Sequence, residues 1–279
     1  MMRPVKNILC LLMIFALWVS GAGVSVSAVS ADETTPPGET AATVEVFGKQ
    51  VEMCRCGISD EEMDALNRKY PDIKFVWEVT ICTYYKIRTD ITFFMPTKMG
   101  IGHGLYIDFT NLKYCSDIQL IDLGHYKVED TSFLRNMPEL KYLILCDGIL
   151  EDVSDIGYCT KLEFLELFLN PFTDFAPLLN LTNLKDLNVS YTPFYKKTGV
   201  GYVYTDDFGD ITPLLQMTWL DRLWMCNNRL EEAELDTIRA TLAHTDLVFE
   251  SYSSTNKGWR HSPHYFAGRD IVGGNYMVK

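Results

Sequence analysis

The segments LKYLIL at Leu140–Leu145, LEFLEL at Leu162–Leu167 and LKDLNV at Leu184–Val189 share one spacing of apolar residues. The same spacing occurs in Ile118–Leu123 and in Leu220–Met225. These five segments start at positions 118, 140, 162, 184 and 220, so successive starts lie 22, 22, 22 and 36 residues apart. The last gap is one period plus 14 extra residues. A fixed period of about 20–29 residues with this core indicates stacked repeats that share a continuous apolar interior.

The periodicity predicts an α/β fold, a right-handed leucine-rich repeat solenoid. We expect a curved parallel sheet on its concave face, short helical or 3₁₀ turns on its convex face and helical caps at both ends. An aspartate recurs before each segment, and its side-chain oxygen is suited to capping a short turn by accepting an unpaired backbone N–H. The recurring aspartates are Asp108, Asp130, Asp152, Asp174 and Asp210.

This pattern resembles the 22-residue repeat of the internalin-like bacterial leucine-rich repeat (LRR) proteins, and the match covers about residues 106–230. In that family an asparagine bonds the backbone of each turn. The asparagine is present at Asn170 and Asn228 and is replaced by Tyr126, Gly148 and Thr192. We therefore expect an interrupted turn ladder in which water or backbone groups substitute. The resemblance implies a secreted protein of Gram-positive type without known catalytic activity.

The chain divides by composition into five predicted parts. An apolar run at Ile8–Val19 follows Arg3 and Lys6 and precedes small residues, which is the layout of a secretory signal peptide. An uncleaved anchor is the alternative, and no later segment is apolar enough to span a membrane. The parts are a signal peptide at 1–31, a disordered linker at 32–43, an N-terminal cap at 44–105, the repeats at 106–230, and a C-terminal cap with an irregular tail at 231–279.

Local patterns add detail to both caps. Ser59 and Glu62 form a capping box, which predicts a helix start in the first cap. Glu78–Met95 is interpreted as a hairpin, and Ser251–Lys279 has no periodicity and is expected to be an irregular coat. The two caps align with each other as strand, helix and strand.

The charge balance excludes one class of partner. The chain has 25 basic and 37 acidic residues. Removal of residues 1–31 takes away Arg3 and Lys6, so the mature net charge is (25 − 2) − 37 = −14. Such an acidic protein repels phosphate backbones, and nucleic-acid binding is not expected.

The sequence predicts no catalytic residues, no metal site and no cofactor. It contains no nucleophile elbow, Walker loop, HExxH or dinucleotide fingerprint. His261 and His264 lack a placed third ligand. The repeat register places Cys115 and Cys159 inward, as small buried residues, and Cys146 and Cys226 outward but too far apart for a disulfide. The sequence neither predicts nor excludes a Cys54–Cys82 disulfide.

The remaining candidate is a surface for binding. The leucines of each segment point inward, and the residues between them line the concave sheet. There they form an apolar stripe edged by acidic residues, and large apolar patches mark interaction sites. The alternative is that the tail or the insertion covers this stripe. The predicted ligand-binding residues of the concave face are Tyr142, Ile144, Phe164, Glu166, Phe168, Asn188, Tyr191, Arg222 and Trp224.

The insertion Tyr195–Asp207 is the second candidate surface. It combines tyrosine and glycine with mixed charge, as adaptable recognition loops do, and Tyr202 and Tyr204 are its predicted binding residues. A loop without a role is the alternative. Together these features predict a secreted, non-enzymatic protein that binds an unidentified protein or peptide. A carbohydrate-binding or cell-wall-associated module that stacks glycans on the aromatic stripe is the second hypothesis.

Overall fold

The computed structural model of the chain describes residues 25–26, 43–47, 49–54, 56–82, 85–102, 106–192, 196–198, 201–203, 209–251, 253, 255 and 258–273. It contains two compact units. The first comprises Met1–Thr80 with Lys86–Asp90, and the second comprises Ile81–Tyr85 with Ile91–Lys279. The five predicted parts, from the signal peptide at 1–31 to the tail ending at 279, stay predictions. Of the signal peptide and linker, the described residues include only Ser25–Val26 and Thr43.

The first unit is a strand, helix and strand arrangement, as the sequence of the first cap predicts. Its four strands form one sheet and lie in it in chain order. Its helix begins after Ser59, whose hydroxyl accepts from the Glu62 N–H at 3.2 Å while the Glu62 carboxylate accepts from the Ser59 N–H at 3.0 Å. The capping box is thereby confirmed. The elements are β1 Ser25–Val26, β2 Thr43–Phe47, β3 Gln50–Cys54, α1 Asp60–Lys69 and β4 Lys74–Val76.

The predicted hairpin between the first cap and the repeats is shorter than expected. Strands β5 (Glu78–Ile81) and β6 (Tyr85–Arg88) form a two-stranded sheet. The next strand, β7 (Phe93–Phe94), instead pairs in parallel with the first repeat strand. The aromatic pair therefore extends the repeat sheet by one strand that the repeat spacing does not reveal.

The second unit is a leucine-rich repeat solenoid, which confirms the predicted fold class. Its seven-stranded sheet is parallel throughout and follows chain order. The central leucines are in register, with Leu143 beside Leu165, Leu165 beside Leu187 and Leu187 beside Leu223. After β7 the strands are β8 Leu120–Asp122, β9 Tyr142–Ile144, β10 Phe164–Glu166, β11 Asp186–Asn188, β14 Arg222–Trp224 and β15 Asp246–Val248.

Short helical turns return the chain between these strands. Five of the six turns, all but the one at Pro96–Met99, open with the predicted aspartate cap, because the carboxylates of Asp108, Asp130, Asp152, Asp174 and Asp210 accept from the backbone N–H two residues later, each at 2.8 Å. The turns are 3₁₀ helices at Pro96–Met99, Thr110–Tyr114, Ser132–Asn136, Ser154–Tyr158 and Ala176–Asn180, and the α-helix α2 at Thr212–Gln216.

The aspartate caps predict a loss of stability in acid. Hydrogen bonds from the side chains and backbone of Ser132 and Ser154 lower the pKa of Asp130 and Asp152. A folded pKa below the unfolded value of about 3.9 gives stability that is present above that value and is lost as the pH falls through the lowered pKa. We expect the free energy of unfolding to fall between pH 5 and pH 3 in denaturant titrations. In an Asp130→Asn/Asp152→Asn variant, whose caps are neutral, the free energy of unfolding should depend less steeply on pH over this range. An equally steep dependence would contradict the assignment of the acid sensitivity to these two caps.

The interior between the sheet and the turns is apolar. The inward leucines of all five repeats are at most 2% exposed. Cys115 and Cys159 lie fully buried in this interior, as predicted. Burial raises the pKa of the Cys159 thiol to about 12, so this side chain packs as a small apolar group.

The asparagine turns are less interrupted than the sequence suggests. The Asn170 amide donates to the carbonyls of Leu145 at 2.7 Å and Leu167 at 2.9 Å, and its oxygen accepts from the Leu150 N–H at 3.2 Å. One asparagine thus bridges its own turn and the preceding one, where Gly148 stands. A Cβ at position 148 would lie 2.6 Å from the Asn170 oxygen, so the glycine makes room for this bridge.

Removal of the Asn170 bridge should destabilise the repeats. We expect Asn170→Ala to lower the free energy of unfolding by about 2–3 kcal/mol, because it strands buried backbone groups without partners. Chemical denaturation of Asn183→Ala is the matched control. Asn183 makes one exposed bond, to the Thr160 carbonyl, and its loss should cost about 1 kcal/mol or less. Equal losses in the two variants would refute the bridging role.

The remaining elements lie in the insertion and after the repeats, and they change one prediction. The insertion Tyr195–Asp207 contains an antiparallel pair, β12 Lys196–Thr198 with β13 Gly201–Val203. The C-terminal cap has helix α3 (Glu232–Thr241) before β15. The tail is wrongly predicted as irregular, since it contains a 3₁₀ turn at Trp259–His261 and helix α4 at Pro263–Ile271. Ser262 caps α4 by accepting from the Tyr265 N–H at 3.0 Å, and Pro263 occupies the first turn.

Candidate functional site

The concave face of the repeat sheet is covered by residues 258–273, here called the C-terminal segment. The expectation of an open stripe is therefore wrong, and the alternative of a covering tail holds. The side chains expected to be exposed are instead at most 5% exposed, because they pack against this segment. The predicted binding residues buried in this way are Tyr142, Ile144, Phe164, Glu166, Phe168, Asn188 and Trp224.

The surface beneath the C-terminal segment is a groove of aromatic and charged side chains. We call it the groove and define it by Tyr142, Phe164, Glu166, Asp186, Arg222 and Trp224. All six lie on strands β9, β10, β11 and β14, so the repeat register sets their spacing.

Trp259 is the apolar anchor of the C-terminal segment. Its indole is fully buried and lies between Phe164 and Trp224, with ring centroids 5.1 Å and 5.3 Å away. The Arg222 guanidinium stands over the same indole at 4.5 Å. Such a desolvated aromatic between two rings and a cation is typical of residues that dominate binding energy.

Glu166 binds two consecutive residues of the segment. Its carboxylate is completely buried and accepts from the Trp259 indole N–H at 2.7 Å. It also accepts from Nε and Nη2 on one edge of the Arg260 guanidinium, at 3.0 Å and 2.6 Å. Although burial disfavours the cation, the facing carboxylate raises the pKa of Arg260. The charge of Glu166 is thereby compensated inside an apolar surrounding, as a buried charge must be.

Asp186 forms a second anchor on the neighbouring strand. Its buried carboxylate accepts from the Ser262 hydroxyl at 2.7 Å and lies 3.1 Å from Nδ1 of His264. Arg222 of the next strand holds the same carboxylate through two bonds, at 3.1 Å and 2.8 Å. Arg222 also donates to the Trp259 carbonyl at 2.9 Å. The segment is therefore fixed by its backbone as well as by its side chains.

Helix α4 contacts the groove through one face. The Tyr265 ring lies 5.5 Å from that of Phe164, and Gly268 lies against Tyr142. A Cβ at position 268 would come within 2.9 Å of the Tyr142 ring, so only glycine allows this approach. Tyr265, Gly268 and Val272 are buried, whereas the neighbouring Phe266 is 41% exposed. The spacing of three and four residues is that of a helix lying in a groove.

Negative charge concentrates at the edge of this arrangement. Burial raises the pKa of Asp122, and the nearby Glu166 carboxylate adds to this effect. Asp122 accepts from the Gly124 N–H at 3.0 Å. In the same column of the sheet, Ile144 lies between Asp122 and Glu166, and Asn188 and Trp224 follow Glu166.

Tyr191 is a predicted site residue that stays partly exposed, as Arg222 does. It lines a cleft of about 740 Å³ at the C-terminal end of the solenoid, together with Asn227, Arg239 and Phe249. Its backbone is left-handed, with φ of 54°. The same conformation recurs at the equivalent residue of every repeat, namely His125, Asp147, Leu169, Tyr191 and Asn227.

The tyrosine loop is described only in part. Tyr202 lies in β13 opposite Lys197, and Tyr204 lies outside the described residues. The binding roles of both residues stay predictions.

The outward cysteines belong to the covered face. Cys146 and Cys226 are buried in the cluster formed with the C-terminal segment, and burial raises the pKa of the Cys146 thiol. Cys82 is a free thiol, so the Cys54–Cys82 disulfide left open by the sequence is not formed. Burial also raises the pKa of Cys82, which lowers its thiolate character.

The groove presents aromatic rings, two buried carboxylates and one guanidinium to the C-terminal segment. Within the described residues, no group of three histidine, cysteine, aspartate or glutamate side chains is placed to hold a metal ion. No helix in the described part of the chain is both long and apolar enough to cross a membrane. The groove binds aromatic, cationic and hydroxyl groups in a fixed order.

The sequence predicts most of the groove residues but not the C-terminal segment that occupies the groove. It named the groove residues Phe164, Glu166 and Trp224, but not Asp186 or the segment residues Trp259, Arg260, Ser262 and His264. One signal was available, because Ser262-Pro263 is a helix-start pattern inside the tail. A second was the pair of opposite charges at Asp186 and Arg222 in one column of adjacent repeats.

The chain is similar to solved structures of bacterial leucine-rich repeat proteins. The chain is similar to two internalins of Listeria monocytogenes, InlF (19% identity, 70% of this chain and 51% of that chain, TM-score 0.43) and InlC2 (22% identity, 54% and 62%, TM-score 0.37). It is also similar to an LRR protein of Leptospira interrogans (16% identity, 50% and 45%, TM-score 0.30). The chain thus spans between 45% and 62% of the length of these structures. No protein-family model and no curated protein matches the sequence.

Proposed function

We propose that this protein is an exported, non-enzymatic leucine-rich repeat protein that binds another protein or a peptide through the groove. The observation that carries the proposal is that the groove already holds a polypeptide segment by anchored side chains rather than by strand pairing. Its contacts are those of recognition sites, with one aromatic anchor and desolvated carboxylates. The present occupant is the C-terminal segment, so a partner reaches the groove when this segment leaves it.

The alternative of a glycan-binding platform has less support. A glycan would stack on exposed ring faces, but Phe164 and Trp224 both lie against Trp259. The remaining open surface, the cleft beside Tyr191, has aromatic and charged side chains on its walls. No contact in the described residues favours a sugar over a polypeptide.

The test compares three forms of the full chain as bait. The release variant, Trp259→Ala/Arg260→Ala, removes the two side chains that bind Glu166 and leaves the groove intact. Phe266→Ala removes an exposed aromatic from the same helix and is the matched control. We expect a protein from host or bacterial surface extracts to be retained at least tenfold more by the release variant than by either other form. That protein is then purified and titrated against each form.

Two outcomes would contradict the proposal. Equal retention by all three forms, unchanged by Glu166→Gln, would place binding outside the groove. Saturable binding of soluble glycans without any retained protein would favour the carbohydrate hypothesis instead.

A further inference from the structure

The C-terminal segment binds the groove in the manner of a ligand with a defined sequence pattern. The backbone of residues 258–273 forms a 3₁₀ turn and a helix, and the segment adds no strand to the seven-stranded sheet. Its specific contacts come instead from side chains in a fixed order along the chain. Trp259 and Arg260 meet Glu166, Ser262 and His264 meet Asp186, and Tyr265 meets Phe164.

The spacing of these contacts follows from the repeat. Glu166 and Asp186 lie on the adjacent strands β10 and β11, and parallel strands lie about 4.8 Å apart. The segment crosses from one carboxylate to the other between Arg260 and Ser262. A ligand must therefore present its aromatic and cationic groups first and a hydroxyl group two residues later.

The helical half of the segment adds a size requirement. Gly268 lies against the buried Tyr142 ring, which leaves no space for a Cβ. Three residues before it, Tyr265 fills the surface beside Phe164. The groove therefore selects a helix with an aromatic residue followed, one turn later, by glycine. This is the anchor pattern of helix-in-groove recognition.

The groove is not fully satisfied by its own segment. The indole N–H of Trp224 is buried and has no hydrogen-bond acceptor among the described residues. A ligand that leaves a buried donor without an acceptor binds with lower affinity than one that supplies the acceptor. A different polypeptide that places an acceptor there would bind more tightly than the C-terminal segment does.

We propose that the groove is a binding site for a polypeptide segment with the pattern Trp-Arg-x-Ser-Pro followed by a short helix, and that the C-terminal segment is its displaceable intramolecular occupant. This inference deepens the proposed function by naming the chemistry of the partner. An aromatic and an arginine bind Glu166, a hydroxyl binds Asp186, and a helix with an aromatic and a glycine packs on Phe164 and Tyr142. Tethering gives the intramolecular occupant an effective concentration in the millimolar range, so a free segment competes poorly until the occupant is weakened.

The experiment uses a fluorescent synthetic peptide with the sequence of residues 258–273, GWRHSPHYFAGRDIVG. Its binding is measured by anisotropy to the full-length wild type, to the release variant Trp259→Ala/Arg260→Ala and to Phe266→Ala. We expect the release variant to bind with an apparent Kd at least tenfold lower than that of the wild type, and Phe266→Ala to behave as the wild type. Glu166→Gln in the release background should weaken binding at least tenfold, because the neutral amide cannot form the bidentate ion pair with the peptide arginine.

Two controls keep the result decisive. A peptide with alanine in place of its tryptophan and arginine should not bind. Circular dichroism and thermal unfolding establish that the repeats of the release variant are folded. If the double variant unfolds, Arg260→Ala alone serves in its place, because it removes the ion pair with Glu166 and so weakens the docking of the segment without creating the cavity that loss of the Trp259 indole would leave.

The proposal is overturned if a folded release variant does not bind the peptide, or if binding is equal for the wild-type and alanine peptides. If Glu166 is needed to capture a protein but the peptide does not bind, the proposed function is supported and only this sequence pattern is refuted. Peptide binding without any captured protein would support the pattern and count against a partner in the extracts tested.

Discussion

Replacement of Trp259 by alanine is expected to lower the free energy of unfolding by about 3–5 kcal/mol, the range found for buried Trp-to-Ala changes. The indole is fully buried between Phe164 and Trp224, and its N–H is bonded to the buried Glu166 carboxylate. Its loss creates a cavity and removes one donor from a buried charge. Urea denaturation of the full chain measures the change.

The control for this variant is Phe266→Ala on the same helix. Phe266 is 41% exposed, and its loss should change stability by no more than about 0.5 kcal/mol, as for most surface substitutions. A loss below about 1 kcal/mol for Trp259→Ala would contradict its anchoring role. A large loss also sets a lower limit on the free energy with which the C-terminal segment docks, since removing one of its side chains cannot cost more than the docking of the whole segment contributes.

Asp186→Ala should have an effect of similar size for an electrostatic reason. The carboxylate is buried and joins Arg222, Ser262 and His264. Its removal leaves the Arg222 guanidinium, only 14% exposed, without its carboxylate partner. Breaking a buried ion pair from one side costs about 3–5 kcal/mol, and we expect a loss in this range.

Asp221→Ala is the matched control for Asp186→Ala. Asp221 is an exposed aspartate 3.7 Å from the other ring nitrogen of His264, and exposed pairs contribute about 1 kcal/mol or less. Thermal or chemical unfolding of the two variants separates the buried from the exposed carboxylate. Losses of the same size in both variants would show that Asp186 is not a desolvated anchor.

The parts of the fold that repeat along the chain were predictable from sequence. The apolar spacing fixed the register of Leu143, Leu165, Leu187 and Leu223, and the recurring aspartates gave the caps of the turns. Both are local signals that recur in each repeat. Strand β7 was not predictable in the same way, because Phe93-Phe94 carries only two residues and lacks the apolar spacing.

No local sequence signal predicts that the concave face is covered. Trp259 and Glu166 are 93 positions apart, and no periodicity connects them. An apolar stripe in a sequence requires a cover but does not identify it. The tail carried the aromatic residues that were needed, yet the order in which they meet Glu166 and Asp186 follows from the spacing of strands in the folded sheet.

Native-state hydrogen exchange tests the central claim most directly, because a displaceable occupant must open while the repeats stay folded. The Phe266 amide, bonded to the Ser262 carbonyl in the C-terminal segment, is compared with the Leu167 amide, bonded to the Asn188 carbonyl in the sheet. We predict that the free energy of the opening that exposes the Phe266 amide is lower than that of the opening that exposes the Leu167 amide. Trp259→Ala should lower the opening free energy of Phe266. That of Leu167 should fall by no more than the loss of global stability. Exchange of both amides only through global unfolding, with one common free energy, would contradict the claim.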